Sequence, residues 1–239
     1  MMVPETSGRQ LLVLFGKPPI PGQVKTRLTP PLSERESADL YRAFVLDLCA
    51  RKRPEEVETL LSLAPPVDES FPLSSVSSGL RVVLQEGPDL ASRLATEFER
   101  QFARGAARVV VRNTDSPLLP EQREQDAFRL LRQGAEIVLG PDRGGGYYLV
   151  GMNQPFPRLF TGLPMSVPSN YAQTLLRARQ LSRHVAVLPA EPDVDRIEDL
   201  LALARELQDD PDARRLAPRT AEAIRALRGS LGLPGSARE

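Results

Sequence analysis

The chain has 239 residues, is 41% hydrophobic, and carries 31 basic and 31 acidic side chains with no formal net charge at pH 7. That length suits one α/β domain or a domain with a small appendage, and the charge balance argues against a nucleic-acid partner, which needs a basic face. The single cysteine, Cys49, excludes an intramolecular disulfide framework and fits a reducing cytoplasm, no apolar run approaches the roughly 20 residues of a membrane span, and the first ten residues lack signal-peptide features.

Residues 1–9 are expected to be a tail and residues 10–216 the main domain. Residues 10–15 form a short apolar run of the kind that makes a buried parallel strand. A loop rich in proline follows, and it holds two of the chain's three lysines, Lys17 and Lys25. Ser33 and Glu36 match a capping box, so a helix is expected from there to about residue 52, with Leu40, Tyr41, Phe44, Val45 and Leu48 at helical spacing.

Strands are then expected over 57–63 and 80–85, with a Pro- and Ser-rich loop over 64–79. A helix over 90–104 precedes a strong β run at 107–111, and a helix over 121–133 is closed by Gly134. Strands at 136–139 and 147–151 flank a glycine turn, and the short connection allows the second of them to run antiparallel. A helix over 171–182, a strand over 185–188, a helix near 197–207 and a C-terminal helix at 217–228 with a frayed tail complete the pattern. Alternating strands and helices imply a mostly parallel sheet covered on both faces.

In such sheets ligands bind beyond the carboxyl ends of the strands. Three unusual segments fall there. The loop from Lys17 to Arg27 has glycines, Gly22 among them, that permit close backbone approach, and prolines that limit its freedom. Elsewhere the chain meets nearly every demand for positive charge with arginine, so lysine here suggests a mobile point charge for phosphate. Its Lys25-Thr26-Arg27 end adds a hydroxyl and a guanidinium.

Asp115 follows the strand at 107–111. It is placed either to hold a hard divalent cation or to open a turn before Pro117. Asp195 is a second candidate for such a cation, whereas Asp193, Glu198 and Asp199 read as helix-entry residues. Gly144-Gly145-Gly146 suits either a ligand lying on the backbone or a tight turn. Tyr147 and Tyr148 should face opposite sides, with one of them lining the site. His184 and Cys49 read as structural. No Ser-His-Asp arrangement, zinc spacing, Walker loop or Rossmann fingerprint is present.

Together these segments resemble the glycosyltransferase-A-like, nucleotide-diphospho-sugar transferase superfamily. More closely, they resemble bacterial transferases encoded near radical-SAM and seleno-domain proteins and linked to arsenosugar biosynthesis. The resemblance rests on the block from Lys17 to Leu28, on Asp115-Ser116-Pro117-Leu118, on Gly140-Pro141 with Gly145 to Gly151, and on Asp193-Val194-Asp195 with Glu198-Asp199-Leu200. It implies a three-layer α/β/α sandwich with a central mixed, mostly parallel sheet and a nucleotide in its N-terminal half.

By position, Lys17, Lys25 and Arg27 would face the nucleotide phosphates, Asp115 would bind a metal (Mg²⁺ or Mn²⁺), and Asp195 would be a second ligand. The segment with Asp142, Gly144, Gly145, Gly146 and Tyr147 would serve the sugar or acceptor. Related sequences tend to carry aspartate where Gly144 stands and threonine where Arg196 stands, and Asp142 is the nearest substitute for the missing acid.

The expected activity is glycosyl transfer from a nucleotide-diphospho-sugar to a small-molecule acceptor. Nucleotidyl transfer of the guanylyltransferase type to a small phosphorylated acceptor is the alternative. Nucleotide binding without turnover, prompted by Gly144, is the third reading.

Overall fold

Strand β1 (Gln10–Gly16) lies between β2 (Val57–Leu63) and β4 (Arg108–Asn113) and runs parallel to both. Leu12 and Leu14 enter one core, while Leu11, Val13 and Phe15 enter the other. A strand covered on both faces needs apolar residues at odd and even positions alike, so this run shows no polar alternation.

The computed structural model describes residues 8–65, 79–165, 167–182 and 184–232. Among them, seven strands form one sheet in the order β3-β2-β1-β4-β6-β5-β7, where β3 is Arg81–Leu84, β5 Ile137–Pro141, β6 Tyr147–Met152 and β7 Val185–Val187. Strand β6 alone is antiparallel to its neighbours, inserted between β4 and β5. The expected antiparallel element is this strand. Most of the loop expected over 64–79, together with the extreme ends of both tails, lies outside the described residues.

Helices cover both faces, giving the expected three-layer α/β/α sandwich. On one side pack α1 (Glu34–Ala50), α3 (Glu121–Arg132), α5 (Ile197–Asp209), α6 (Pro211–Leu216) and α7 (Pro218–Ala226). On the other side lie α2 (Leu90–Ala103) and α4 (Asn170–Leu181). The capping box at the start of α1 is present: Glu36 N donates to Ser33 Oγ at 3.2 Å, and Ser33 N donates to Glu36 Oε2 at 2.8 Å.

Helix α6 was not among the expected elements. Asp210 ends α5 and at once caps α6, its carboxylate accepting from Asp212 N at 2.8 Å, with Pro211 in the first turn. Helix α7 docks on α1 through Asp47, which is 2% exposed and accepts from Thr220 N and Thr220 Oγ1, both at 2.8 Å. No helix of the described residues is long and apolar enough to cross a membrane.

Candidate functional site

A cavity of about 530 Å³ opens at the carboxyl ends of β1, β2, β3 and β4. At the end of β1, Gly16 leaves room for a buried polar pair: a Cβ there would lie 2.5 Å from Thr114 Oγ1 and 2.8 Å from Tyr41 Oη. Those two hydroxyls are 2.6 Å apart, and Lys17 N donates to Tyr41 Oη at 3.0 Å. This contact anchors the start of the basic loop, and the exposed Lys17 side chain borders the cavity.

At the far end of that loop, Lys25 adopts φ 49° and ψ 35°, the left-handed region, immediately before a single 3-10 turn, Thr26–Leu28. Its ammonium bonds to Asp115 Oδ1 and to Val194 O, the latter at 2.6 Å, and lies 5.5 Å from the centre of the Tyr41 ring. Arg27 pairs with Asp195 in the same way, in a more exposed position. Thr26 also lines the cavity, whereas Gly22 does not: its backbone turns at φ +75° against the Glu34 carboxylate.

Asp115, Asp142, Asp193 and Asp195 all face this cavity. The glycine turn supplies backbone N–H groups to the Asp142 carboxylate, Gly146 N at 2.7 Å with Gly144 and Gly145 beside it. Burial nevertheless raises Asp142 above the usual carboxylate range, and the Asp115 charge adds to that effect. Asp193 is pushed up to about 6, first by burial and then by the charges of Asp142 and Asp115, with Lys25 opposing. A Cβ on Gly144 would sit 3.4 Å from Asp142 Oδ1 and 4.0 Å from Asp193 Oδ1, so the two carboxylates flank this position.

Asp193 is the main correction to the sequence reading. It makes no helix cap; the start of α5 is instead served by Asp199, whose Oδ2 accepts from Asp195 N at 3.1 Å and Arg196 N at 2.8 Å. Gly145, at φ +92°, is required by packing, because a Cβ there would fall 2.0 Å from Pro168 O. Gly144 and Gly145 thus shape the turn while Gly146 borders the cavity. Tyr147 and Tyr148 do face opposite cores, but both border the cavity, contrary to the expectation of one.

Carboxylate oxygens suit a hard divalent cation such as Mg²⁺ or Mn²⁺. Among the described residues, however, no group of three or more His, Cys, Asp or Glu side chains is arranged to hold a metal ion. Lys25 and Arg27 neutralise two of the four carboxylates instead.

The loop bearing Asp115 is held from behind by arginines that the sequence did not single out. Arg112, 1% exposed, donates to Asn113 O at 3.0 Å and Ser116 O at 2.8 Å. Arg51 donates to Leu119 O at 2.8 Å and to Pro117 O. Glu124 anchors the group, bonded to Arg112 at 2.9 Å and Arg53 at 3.0 Å. Burial alone would raise the Glu124 pKa, but the two guanidiniums outweigh it and hold the carboxyl below its ordinary value.

The sequence reading also passed over Gln85, at the end of β3, and Arg93 on α2, both of which line the cavity. A polar residue just past the end of a largely apolar edge strand was the available signal for Gln85. His184 contributes backbone pairing to Glu136 at 2.8 Å, and Cys49 is buried in the core with its thiol pushed up to about 12 by that burial.

A family model described as "Uncharacterized protein conserved in bacteria (DUF2064)" matches residues 46–167. The chain belongs to this family. No curated protein matches it. Among solved structures, it is similar to a provisionally assigned nucleotide-diphospho-sugar transferase from Desulfovibrio desulfuricans G20, with 28% identity over 94% of this chain and 97% of that one, at a TM-score of 0.85. A likeness in fold extends to the 4-diphosphocytidyl-2C-methyl-D-erythritol synthase of Anaerococcus prevotii DSM 20548, at 12% identity, 87% and 100% coverage and a TM-score of 0.56. The DUF2064 chain therefore has the nucleotide-diphospho-sugar transferase fold.

Proposed function

We propose that this DUF2064 protein is a nucleotide-dependent transferase, and more specifically a glycosyltransferase that takes its sugar from a nucleotide-diphospho-sugar. The observation that carries this reading is the convergence of Lys17, Lys25, Thr26 and Arg27 with Asp115 and Asp195 on one cavity at the carboxyl ends of the strands. The likeness to the Desulfovibrio protein over nearly the whole chain supports it.

An incoming diphosphate competes with Asp115 and Asp195 for Lys25 and Arg27. The ammonium, the guanidinium and the Thr26 hydroxyl then take up phosphate oxygens, and Lys17 adds charge from the loop's other end. Asp115 and Asp195, released from their cations, would hold Mg²⁺ or Mn²⁺. When bound, such an ion neutralises negative charge on the departing diphosphate. The turn that carries Asp142, with Gly146 and Tyr147, closes the end of the cavity where the sugar and acceptor would meet.

Product analysis tests the assignment. Release of a free nucleoside diphosphate from a nucleotide sugar, with the sugar moved to an acceptor, is the expected result. Release of pyrophosphate from a nucleoside triphosphate and a sugar phosphate would make the protein a nucleotidyltransferase instead. Nucleotide binding with neither product over a broad panel would leave it a binding protein.

A further inference from the structure

The two ion pairs in the cavity join two separately built halves. Both cations ride on one short piece of chain, Lys25 just before the 3-10 turn and Arg27 within it. Both acids ride on segments that are stitched to each other: Val194 N donates to Asp115 O at 3.1 Å, and Asp195 is the next residue. Lys25 Nζ closes the set by bonding to the Asp115 carboxylate and, at 2.6 Å, to Val194 O.

The acid half is the better fixed. Behind Asp115, Arg112 donates to Ser116 O at 2.8 Å, and Asp199 Oδ2 accepts from Asp195 N at 3.1 Å and Arg196 N at 2.8 Å. The basic half instead holds Lys25 at φ 49°, a backbone conformation unfavourable for an L-residue that persists only while the surroundings enforce it. The bonds that enforce it come from the acid half. Displacing Asp115 from the ammonium therefore frees the turn, and Arg27 moves with it. The four side chains make one clasp rather than two independent bridges.

The two pairs are unequal. The Lys25 side chain is 5% exposed, so solvent screens its pair poorly, whereas Arg27 and Asp195 are 59% and 44% exposed and hold each other weakly. Most of the strength of the clasp lies at Asp115.

We propose that Asp115 and Asp195 are built-in stand-ins for the two phosphates of the ligand, an autoinhibitory clasp that keeps the phosphate site shut until a diphosphate displaces them. The inference rests on the reading of the Lys17–Arg27 loop as a phosphate site and adds the regulation of that site. The free energy needed to open the clasp is subtracted from the binding of every ligand. Without metal, removal of the Asp115 charge should therefore strengthen binding, the opposite of what the loss of an ordinary ligand contact does.

Calorimetric titration of the full chain with inorganic pyrophosphate in EDTA tests it. Asp115→Asn is expected to bind pyrophosphate about tenfold more tightly than the parent. Asp195→Asn should gain less than about threefold, because its pair is exposed. Asp142→Asn is the control for the general field of the acids: Asp142 faces the same cavity but is bonded to the glycine turn, and its variant should also gain less than about threefold. With Mn²⁺ in place of EDTA, Asp115→Asn should bind pyrophosphate more weakly than the parent, since the displaced carboxylate is then the one available to the metal.

Unchanged or weaker binding by Asp115→Asn in EDTA would overturn the clasp, and so would an equal gain in Asp142→Asn. A gain in EDTA that persists with Mn²⁺ would uphold the clasp and remove Asp115 from the metal site. Binding of pyrophosphate by neither the parent nor Asp115→Asn would remove the phosphate site and the clasp together. Should Asp115→Asn not fold, Lys25→Met decides. Without diphosphate it should bind Mn²⁺ about tenfold more tightly than the parent, because Asp115 is no longer engaged, and the lack of any gain would overturn the proposal.

Discussion

The ammonium of Lys25 is bonded to the carboxylate of Asp115, 90 residues away in sequence, with only 5% of the lysine side chain exposed. The pair ties the basic loop to the β4 loop, and the bond from Lys25 to Val194 O brings in the segment before α5. Lys25 is the one non-glycine residue with positive φ among the described residues. An L-residue in that region costs about 1–2 kcal/mol, so a lysine where glycine would be unstrained points to selection for the charge.

Two substitutions separate backbone from charge. Lys25→Gly is expected to unfold at higher denaturant than Lys25→Ala, by about 1 kcal/mol in stability, because only glycine is relaxed at this φ. Both should lose nucleoside diphosphate affinity by at least about tenfold, as each removes the same ammonium. Urea unfolding and calorimetric titration check the two parts independently.

The clamp behind Asp115 makes a second prediction. Removing one member of a buried ion pair strands the other, so Arg112→Met or Glu124→Leu should each cost about 3–5 kcal/mol. The double variant should cost clearly less than the sum, since it removes both members of the Arg112–Glu124 pair and leaves only Arg53 without its carboxylate partner. A double-mutant cycle by chemical unfolding reads this directly, and strict additivity would mean that the 2.9 Å contact carries no coupling.

The glycine turn offers a steric contrast. Gly145→Ala would place a Cβ 2.0 Å from Pro168 O at φ +92°, so the loop must rearrange, at an expected cost above about 2 kcal/mol. Gly134→Ala, at φ +102° with open space around it, should cost only about 1 kcal/mol. Gly144→Asp has room beside Asp142 at 3.4 Å and should fold. By adding a carboxylate beside Asp142 and Asp193 it should tighten Mn²⁺ binding while lowering the Tm at neutral pH without metal. Calorimetry and thermal unfolding measure both effects.

Asp193 sets a pH dependence whose sign follows from its raised pKa. Between its ordinary value of 3.8 and about 6, the folded chain keeps a proton that the unfolded chain releases. This contribution to stability is full below 3.8 and is lost as the pH rises through about 6. Asp193→Asn should therefore flatten the fall in Tm across that window and leave the variant more stable than the parent above it. Parallel curves for the two proteins would contradict the placement of Asp193 among the other acids.

What the sequence disclosed was chiefly local. The buried run of β1, the Ser33–Glu36 capping box and the glycine stop at Gly134 are written in adjacent residues, and each appears where expected. The candidate site was legible in its parts, since Lys17, Lys25, Arg27, Asp115, Asp142 and Asp195 do border one cavity. Its pairing was not, because the bonds from Lys25 to Asp115 and from Arg27 to Asp195 span 90 and 168 residues. Asp193 misled for a physical reason: an acid just before a helix has the same sequence signature whether it caps that helix or turns into a cavity. Arg112 was hidden in a strand, where only the tertiary structure reveals a charge held by Glu124.

Thermal unfolding of the parent protein, Lys25→Ala and Asp115→Ala with nucleoside diphosphates and nucleotide sugars, with and without Mn²⁺, goes most directly to the function of the cavity. A ligand that binds only the folded state raises Tm by mass action. The parent is predicted to show a nucleotide shift that grows with Mn²⁺. Lys25→Ala should lose most of that shift, and Asp115→Ala should lose its dependence on the metal. A nucleotide shift retained at full strength, with its metal dependence, by both variants would contradict the assignment of this cavity as the nucleotide site.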